Sequence, residues 1–277
     1  MDDGSWIDAG VIPAGSPSCR SLAIVGAFGG THIAGALKRA ATKLALETIT
    51  FDVADAAGRI RLLRLLTWHL AGRRPPYLDR FSAKVLAGCV RPSSRILIAT
   101  GAAPLTRAAL HVLRARGITT INYSTDDPWN PVMRAGWYLR ALSEYGVVFT
   151  PRRANIENFR AMGCQDVRYL PFGYDETLCR PPEAPVEGVG HDILFVGGAD
   201  EDRADFMTAF IQSGQAPSPT LVGGYWERYA ATRPLTLGQK PPDTVAALTV
   251  AAKVNLCLVR RANRDGHVMR SFEIAAL

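Results

Sequence analysis

Short apolar runs recur along the first two thirds of the chain, and each is followed by a turn and a stretch with helical spacing. The runs that we predict to be strands span 22–25, 48–51, 96–99, 119–123, 147–150 and 167–170. Helical patterns lie between them, for example at 34–45 and 104–116. Short strands that alternate with helices are typical of a parallel, doubly wound sheet. We therefore predict an α/β fold.

A second unit follows a stretch rich in proline and glycine. Residues 181–190 contain three prolines and two glycines, a composition typical of a connector. Beyond it the pattern restarts, with predicted strands at 193–196, 220–222 and 254–259, the last of them predicted to be buried. We expect a loose lead-in over 1–20, an N-terminal Rossmann-like domain over 21–182 and a C-terminal Rossmann-like domain over 183–277.

The densest polar cluster of the chain spans residues 263–273. It follows the predicted strand 254–259 and precedes a predicted helix at 272–277, so it lies where open α/β sheets bind ligands. Arg264 and Arg270 would add positive charge near a helix N-terminus, which favours an anion. The carboxylates of Asp265 and Glu273 suit hydroxyl groups instead. A ligand with both phosphates and hydroxyls, such as a nucleotide sugar, fits this combination.

The turn after the first predicted strand contains Gly26, Gly29 and Gly30, followed by His32. Glycines at this point let a backbone approach a phosphate, but the strict dinucleotide spacing is not met. A structural turn and a ligand loop both remain open, and Asp52 is the sole support for a ribose contact in a nicotinamide site. His32 is either a solvent-exposed or capping residue or a general base that faces the cleft.

Two acidic motifs allow both a structural and a functional interpretation. Asp126 and Asp127 follow a predicted strand at the expected cleft, although Asp-Pro also forms ordinary turns. Residues 200–202 (DED) resemble the acidic triplet that holds a metal in some sugar transferases, but they also lie at a helix start, where acids are favoured. We predict no metal site.

The net charge of +7, from 32 basic and 25 acidic residues, narrows the range of partners. It fits a phosphate-bearing substrate, an anionic membrane surface or a solvated face. Nucleic acid is not expected because the basic residues are scattered and lack interleaved aromatics. The five cysteines have no metal-like spacing. Without a signal peptide pattern or a long apolar run, the cytoplasm is the expected location, and peripheral membrane contact stays open.

Five blocks of sequence together resemble the CgeB-like glycosyltransferases, bacterial proteins related to the two-domain GT-B glycosyltransferases. The resemblance runs from residue 126 to residue 277 and is specific in the order of the blocks. The blocks are DDPW at 126–129, VFTP at 148–151, LPFG at 170–173, FVGG at 195–198 with Arg203, and DGH at 265–267 with RSFE at 270–273.

This resemblance implies roles for individual residues. The broader group often carries two glutamates with seven residues between them, the first near the donor sugar and the second on the ribose. Here Glu273 matches the second, and Asp265 is a shortened version of the first. Arg203 and Arg270 become phosphate candidates. The residues that the resemblance and the glycine-rich turns together assign to the nucleotide sugar are Gly29, Gly30, Gly197, Gly198, Arg203, His267, Arg270 and Glu273.

Relatives in this family continue past the last helix, whereas this sequence ends at Leu277. We therefore expect a fragment or a truncated protein, with an incomplete second domain and an exposed sheet edge or apolar face.

The leading hypothesis is a metal-independent transferase that moves a sugar from a nucleoside diphosphate sugar to an unidentified acceptor: a glycan, protein, lipid or small molecule. No cofactor is expected. His32, Asp126 and Asp265 are the catalytic candidates, with His32 or Asp126 as the base if the reaction inverts configuration. The alternatives are an NAD(P)-dependent oxidoreductase and a non-catalytic nucleotide-binding relative.

Overall fold

Two separate parallel sheets form the framework of the computed structural model, which describes residues 21–58, 67, 70–90, 94–131, 133–183, 190–264 and 266–277. The predicted lead-in 1–20 and positions 184–189 of the predicted connector lie outside these ranges. None of the helices in the described ranges has the length and apolarity that a bilayer crossing requires.

The first sheet has six strands in the order β2-β1-β3-β4-β5-β6, and every neighbouring pair is parallel. This arrangement confirms the predicted α/β fold. The strands are β1 (Ser21–Gly26), β2 (Glu47–Asp52), β3 (Ser94–Thr100), β4 (Thr119–Tyr123), β5 (Val147–Thr150) and β6 (Val167–Tyr169). The helices between them include α1 (Ile33–Lys43), α2 (Ala54–Ala57), α3 (Leu78–Cys89), α4 (Arg107–Ala115), α5 (Gly136–Ala141) and α6 (Ile156–Ala161).

The apolar sequence of β1 follows from its position between two helical layers. All six of its residues are buried. Ala23 and Val25 point to one core, which α3 and α4 help to build, while Leu22 and Ile24 point to the other core beneath α1. A strand covered on both faces reads as a continuous apolar run because successive side chains point to opposite faces.

The second sheet is smaller, with three parallel strands in the order β8-β7-β9. Its strands are β7 (His191–Val196), β8 (Thr220–Val222) and β9 (Ala252–Leu256), and its helices include α7 (Glu201–Gln212), α8 (Pro242–Ala251) and α9 (Met269–Ala276). One of its small cores centres on Phe195 and Trp226, whose rings meet edge to face at 5.6 Å.

The last predicted strand is wrong in both extent and burial. β9 spans residues 252–256 rather than 254–259, and Val254 is 49% exposed. The reason is that β9 pairs with β7 on one side only and forms the edge of the sheet. The final helix also begins earlier than predicted, at Met269.

Candidate functional site

In the part of the chain that the structure describes, four cavities lie between the two sheets and share lining residues. Thr31, just before α1, lines all four, and Glu273 of α9 lines three of them. We name the cavities by their contents: the glycine cavity around Gly197, the arginine cavity around Arg203, the acid cavity around Asp126, and the apolar cavity between α1 and residues 170–178. Their volumes are about 340, 350, 640 and 460 Å³ respectively.

Two arginines from the second sheet line both the arginine cavity and the acid cavity. Arg203 lies in the first turn of α7 and is only 12% exposed, and Arg260 follows β9. Arg203 donates to the carbonyls of Gly198 (3.1 Å) and Leu258 (3.2 Å), which fixes its position. Asp200 lies 2.8 Å from Nε of Arg260. Burial, followed by repulsion from Arg260, lowers the pKa of Arg203. Two guanidinium groups beside one carboxylate leave positive charge for an anion.

Asp200 also has a structural role at the start of α7. Its side chain accepts a hydrogen bond of 3.0 Å from the backbone N–H of Arg203, so it is the N-cap of α7. The helix-start interpretation of this triplet is the one that the structure supports.

Arg270 and Glu273 project from the same face of α9 because they are three residues apart. They form an ion pair of 2.9 Å, and Glu273 is buried. Both line the glycine and arginine cavities. A buried carboxylate and a guanidinium at one point of the cleft can contact hydroxyls and phosphate, respectively.

The glycine cavity is walled by bare backbone at the carboxyl ends of β7 and β8. It includes Gly197 and Gly198 from the first strand and Gly223 from the second. A Cβ at Gly223, whose φ is +140°, would lie 2.3 Å from the carbonyl oxygen of Gly197, so only glycine fits. The indole N–H of Trp226 donates to the same oxygen at 2.7 Å. This wall lets a flat or phosphate-bearing ligand approach the main chain closely.

The glycines of the turn after β1 have different roles: one permits close helix packing and another lines the cleft. A Cβ at Gly26 would lie 2.3 Å from Thr100 Oγ1 and 2.5 Å from Ala34, so this glycine permits close contact between α1 and the sheet. Gly30 (φ +55°) lines the glycine cavity, while Gly29 lies outside the four cavities and accepts a hydrogen bond from His32 through its carbonyl.

His32 and Asp126 line the acid cavity together, from the carboxyl ends of β1 and β4. His32 occupies the N-cap position of α1, but its side chain makes no capping hydrogen bond. Its side chain therefore does not cap the helix, but the residue is solvent-exposed, which was the other form of the structural interpretation. Asp126 is exposed in the loop that follows β4. The two candidate bases thus face the same space as Arg203 and Arg260.

A buried polar network supports the loop that carries Asp126. The hydroxyl of Tyr138 hydrogen-bonds to Asn122 Oδ1 at 2.8 Å and to Ser124 Oγ at 3.2 Å. Burial raises the pKa of Tyr138 far above its usual value, so the hydroxyl stays protonated. Asn122 donates to the carbonyls of Ala99 and Gly101, which joins this network to β3. The strand end beneath the acid cavity is thereby fixed.

Two residues of the polar cluster at 263–273 have contacts other than those expected of a ligand site, and a third lies outside the described residues. Arg264 pairs with Asp127 and Asn155 of the first sheet instead of adding charge to an anion site. His267 lies outside the four cavities: its ring packs on Phe272 and its carbonyl accepts a hydrogen bond from Arg152. Asp265 lies outside the described residues.

Sequence reasoning missed three residues of the cleft: Thr31, Arg152 and Arg260. Each follows the carboxyl end of a strand, β1, β5 and β9 respectively, which is the rule that identified the other candidates. Arg152 is almost fully buried and lies over the ring of Phe172. Arg152 and Arg260 belong to short basic runs that resemble solvated loops, and Thr31 lies in the glycine turn beside His32, which was the more evident candidate.

Solved structures with the same fold define the class: α/β proteins with the parallel sheets of GT-B glycosyltransferases. The α,α-trehalose 6-phosphate synthase of Burkholderia multivorans matches with a TM-score of 0.58 and 13% identity, over 92% of this chain and 80% of its own. The UDP-forming synthase of Burkholderia xenovorans gives 0.57 and 13%, over 93% and 81%. An α-glucosyltransferase solved with UDP-glucose and DNA containing an abasic site gives 0.57 and 11%, over 92% and 77%.

No family model matches the chain, and no curated protein matches it in sequence. At these identities the solved structures establish the fold alone. The function therefore depends on the chemistry of the cleft.

Proposed function

We propose that this protein transfers a sugar from a nucleoside diphosphate sugar to an acceptor. The observation that carries the proposal is the continuity of the cleft. Arg203 and Arg260 provide an anion site that is joined, through Arg270 and the buried Glu273, to a cavity walled by the bare backbone of Gly197 and its neighbours. A ligand with a diphosphate between a ribose and a sugar has complementary groups in the same order.

In this proposal the diphosphate lies in the arginine cavity, where guanidinium groups offer paired donors. The nucleoside occupies the glycine cavity, and Glu273 accepts hydrogen bonds from the ribose hydroxyls. The sugar then extends toward the acid cavity. UDP-glucose is the first donor to test, because one similar structure is of a UDP-forming synthase and another contains UDP-glucose.

The transfer reaction needs charge stabilisation and a proton acceptor. The acceptor's hydroxyl oxygen attacks the anomeric carbon, the bond from that carbon to the diphosphate oxygen breaks, and the diphosphate leaves. Arg203 and Arg260 stabilise its negative charge, which is the role that a metal has in other transferases. If the reaction inverts configuration, Asp126 or His32 takes the hydroxyl proton.

The finer expectations from the sequence belong to the same proposal. They are membership in the bacterial CgeB-like family, a division into domains at residues 182 and 183, and a cytoplasmic location. The order of the five sequence blocks supports the family, and the separation of the two sheets between β6 and β7 supports the boundary.

The nicotinamide alternative has less support. Asp52, its one ribose candidate, accepts a hydrogen bond of 2.9 Å from the backbone N–H of Ala54 and so stabilises the turn into α2. Gly26 serves helix packing, which leaves the glycine turn without the spacing of a dinucleotide site.

Calorimetric titration with UDP, GDP, TDP, CDP, NADH and NADPH tests the proposal. We expect one nucleoside diphosphate to bind, and the Glu273→Gln variant to lower its affinity about 10- to 100-fold because a charged hydrogen-bond acceptor is lost. Glu157→Gln, an exposed residue of α6, is the matched control and should leave the affinity unchanged.

Release of UDP from UDP-glucose, measured with and without the candidate acceptors, separates an enzyme from a non-catalytic binder. Binding without turnover of any donor would favour the nucleotide-binding relative. Tighter binding of NADH or NADPH than of every nucleoside diphosphate would overturn the transferase proposal.

A further inference from the structure

We propose that the apolar cavity binds an apolar group of the acceptor, so that the hydroxyl to be glycosylated belongs to a molecule with an aliphatic or aromatic body. This inference rests on the proposed transferase function, because it gives a role in that reaction to a cavity that the donor does not occupy.

Apolar side chains form two facing walls of the cavity, while the rest of its lining includes Thr31, Thr177 and the paired charges at its rim. One wall is α1, through Ile33, Ala36 and Leu37, and the facing wall is the segment after β6, including Leu170 and Leu178. Leu170 is 42% exposed although it is large and apolar. Apolar surface that stays open to water in a concave site is typical of a ligand site, since binding an apolar group removes that surface from water.

The charges at the rim of the cavity neutralise one another. Nε and Nη2 of Arg39 both lie 2.6 Å from one carboxylate oxygen of Asp175. Lys43, one turn further along α1, pairs with Glu176. Two cations and two anions leave no net charge at this rim. An ionic ligand therefore gains little here, whereas a neutral apolar ligand does not have to separate the pairs.

The polar group at the inner end is also satisfied. The hydroxyl of Tyr123 donates to the carbonyl of Pro171 at 3.1 Å. This hydrogen is therefore already committed within the protein and is not offered to a polar ligand.

The cavity opens toward the proposed donor site. Thr31, Met269 and Glu273 line both the apolar cavity and the arginine cavity. A bound molecule whose body fills the apolar cavity can therefore direct a hydroxyl toward the sugar. The volume of about 460 Å³ falls within the roughly 300–1,000 Å³ of small-molecule sites.

Calorimetry with 2-naphthol, and with glucose as the probe that lacks an apolar body, tests the chemistry of the cavity. We expect 2-naphthol to bind and glucose not to bind. Ala36→Trp, which fills the cavity from α1, should weaken 2-naphthol binding at least about tenfold. Leu170→Asp, which places a charge in the cavity without overfilling it, should do the same. Ala161→Trp, at an exposed position of α6, is the matched control.

Sedimentation with dioleoylphosphatidylcholine vesicles identifies the source of the apolar group. Retention of the wild type, lost in both cavity variants, would indicate a lipid acceptor. Binding of 2-naphthol without vesicle retention would indicate a soluble acceptor. UDP titration of each variant distinguishes the two proposals. The cavity assignment alone is overturned if UDP binds but the wild type does not bind 2-naphthol. It is also overturned if UDP binds and both variants bind 2-naphthol as tightly as the wild type does. If UDP fails to bind the wild type, the acceptor role is overturned together with the transferase proposal.

Discussion

The two walls of the cleft carry different chemistry. The wall from the six-stranded sheet presents His32 and Asp126, a potential base and an exposed carboxylate, at the ends of buried strands. The wall from the three-stranded sheet presents Arg203, Arg260 and Arg270, each held by a carboxylate or by backbone carbonyls. In the proposed function we therefore expect the second wall to bind the donor and the first wall to act on the acceptor. Separate measurements of donor binding and of turnover test this expectation.

The largest expected effect is on turnover. Asp126→Asn should lower kcat for sugar transfer by roughly 10²–10⁴, because it removes a proton acceptor, while the dissociation constant for UDP stays the same. Steady-state kinetics and calorimetry measure the two quantities. Asp79→Asn, at an exposed position of α3, is the matched control. An equal fall in UDP affinity would show that the first wall also binds the donor.

Arg203→Ala should have the next largest effect, this time on binding. We expect UDP affinity to fall about 10- to 100-fold, because charge-assisted hydrogen bonds contribute roughly 1.5–3 kcal/mol. Arg203→Lys keeps the charge but loses the planar fork and should restore only part of the affinity. Arg160→Ala, at an exposed arginine of α6, is the control. Unchanged UDP binding, with circular dichroism showing a folded variant, would remove the second wall from the donor site.

The same two regions explain how much the sequence could reveal. Strand β1 was predictable because burial on both faces produces a continuous apolar run. The edge strands β2 and β6 also carry short apolar runs and were located. The bounds and exposure of β9 were not, because a single sequence does not distinguish an apolar edge strand from a central one. The rule that ligands bind at the carboxyl ends of strands pointed to Asp126 and to the polar cluster at 263–273, while the family resemblance added Arg203 and the role of Glu273. It could not show that Arg264 reaches Asp127, since that contact joins positions 137 residues apart.

That contact connects the two walls and gives a third prediction, on stability. Asp127 is 3% exposed and Arg264 is 42% exposed. Arg264→Ala leaves a buried carboxylate without its charged partner, so we expect the free energy of unfolding to fall by about 1–3 kcal/mol, less than for a fully buried pair. Asp127→Asn is the second variant, which removes the charge of the carboxylate and keeps the shape of the side chain.

A double-mutant cycle in urea measures the interaction of Asp127 with Arg264. A coupling of about 0.5–2 kcal/mol is expected for residues in direct contact. Additive single changes would indicate that this ion pair does not hold the walls together.

The smallest effect concerns the rim of the apolar cavity. Burial opposes ionisation of Asp175, but the Arg39 guanidinium and the Thr177 backbone N–H outweigh it and hold the pKa of this carboxyl below its usual value. A carboxyl with a lowered pKa in the folded state stabilises the protein above its unfolded pKa, and this contribution is lost as pH falls through the lowered value.

Asp175→Asn should therefore lower the free energy of unfolding by about 0.2–1 kcal/mol at pH 7, and the difference from wild type should shrink below about pH 4. Urea unfolding across this pH range measures it. Glu176→Gln, at a position that is 67% exposed where Asp175 is 12% exposed, should have a smaller effect. A larger effect for Glu176 would show that the exposed pair, rather than the partly buried one, holds α1 against the segment after β6 and keeps the rim of the apolar cavity in place.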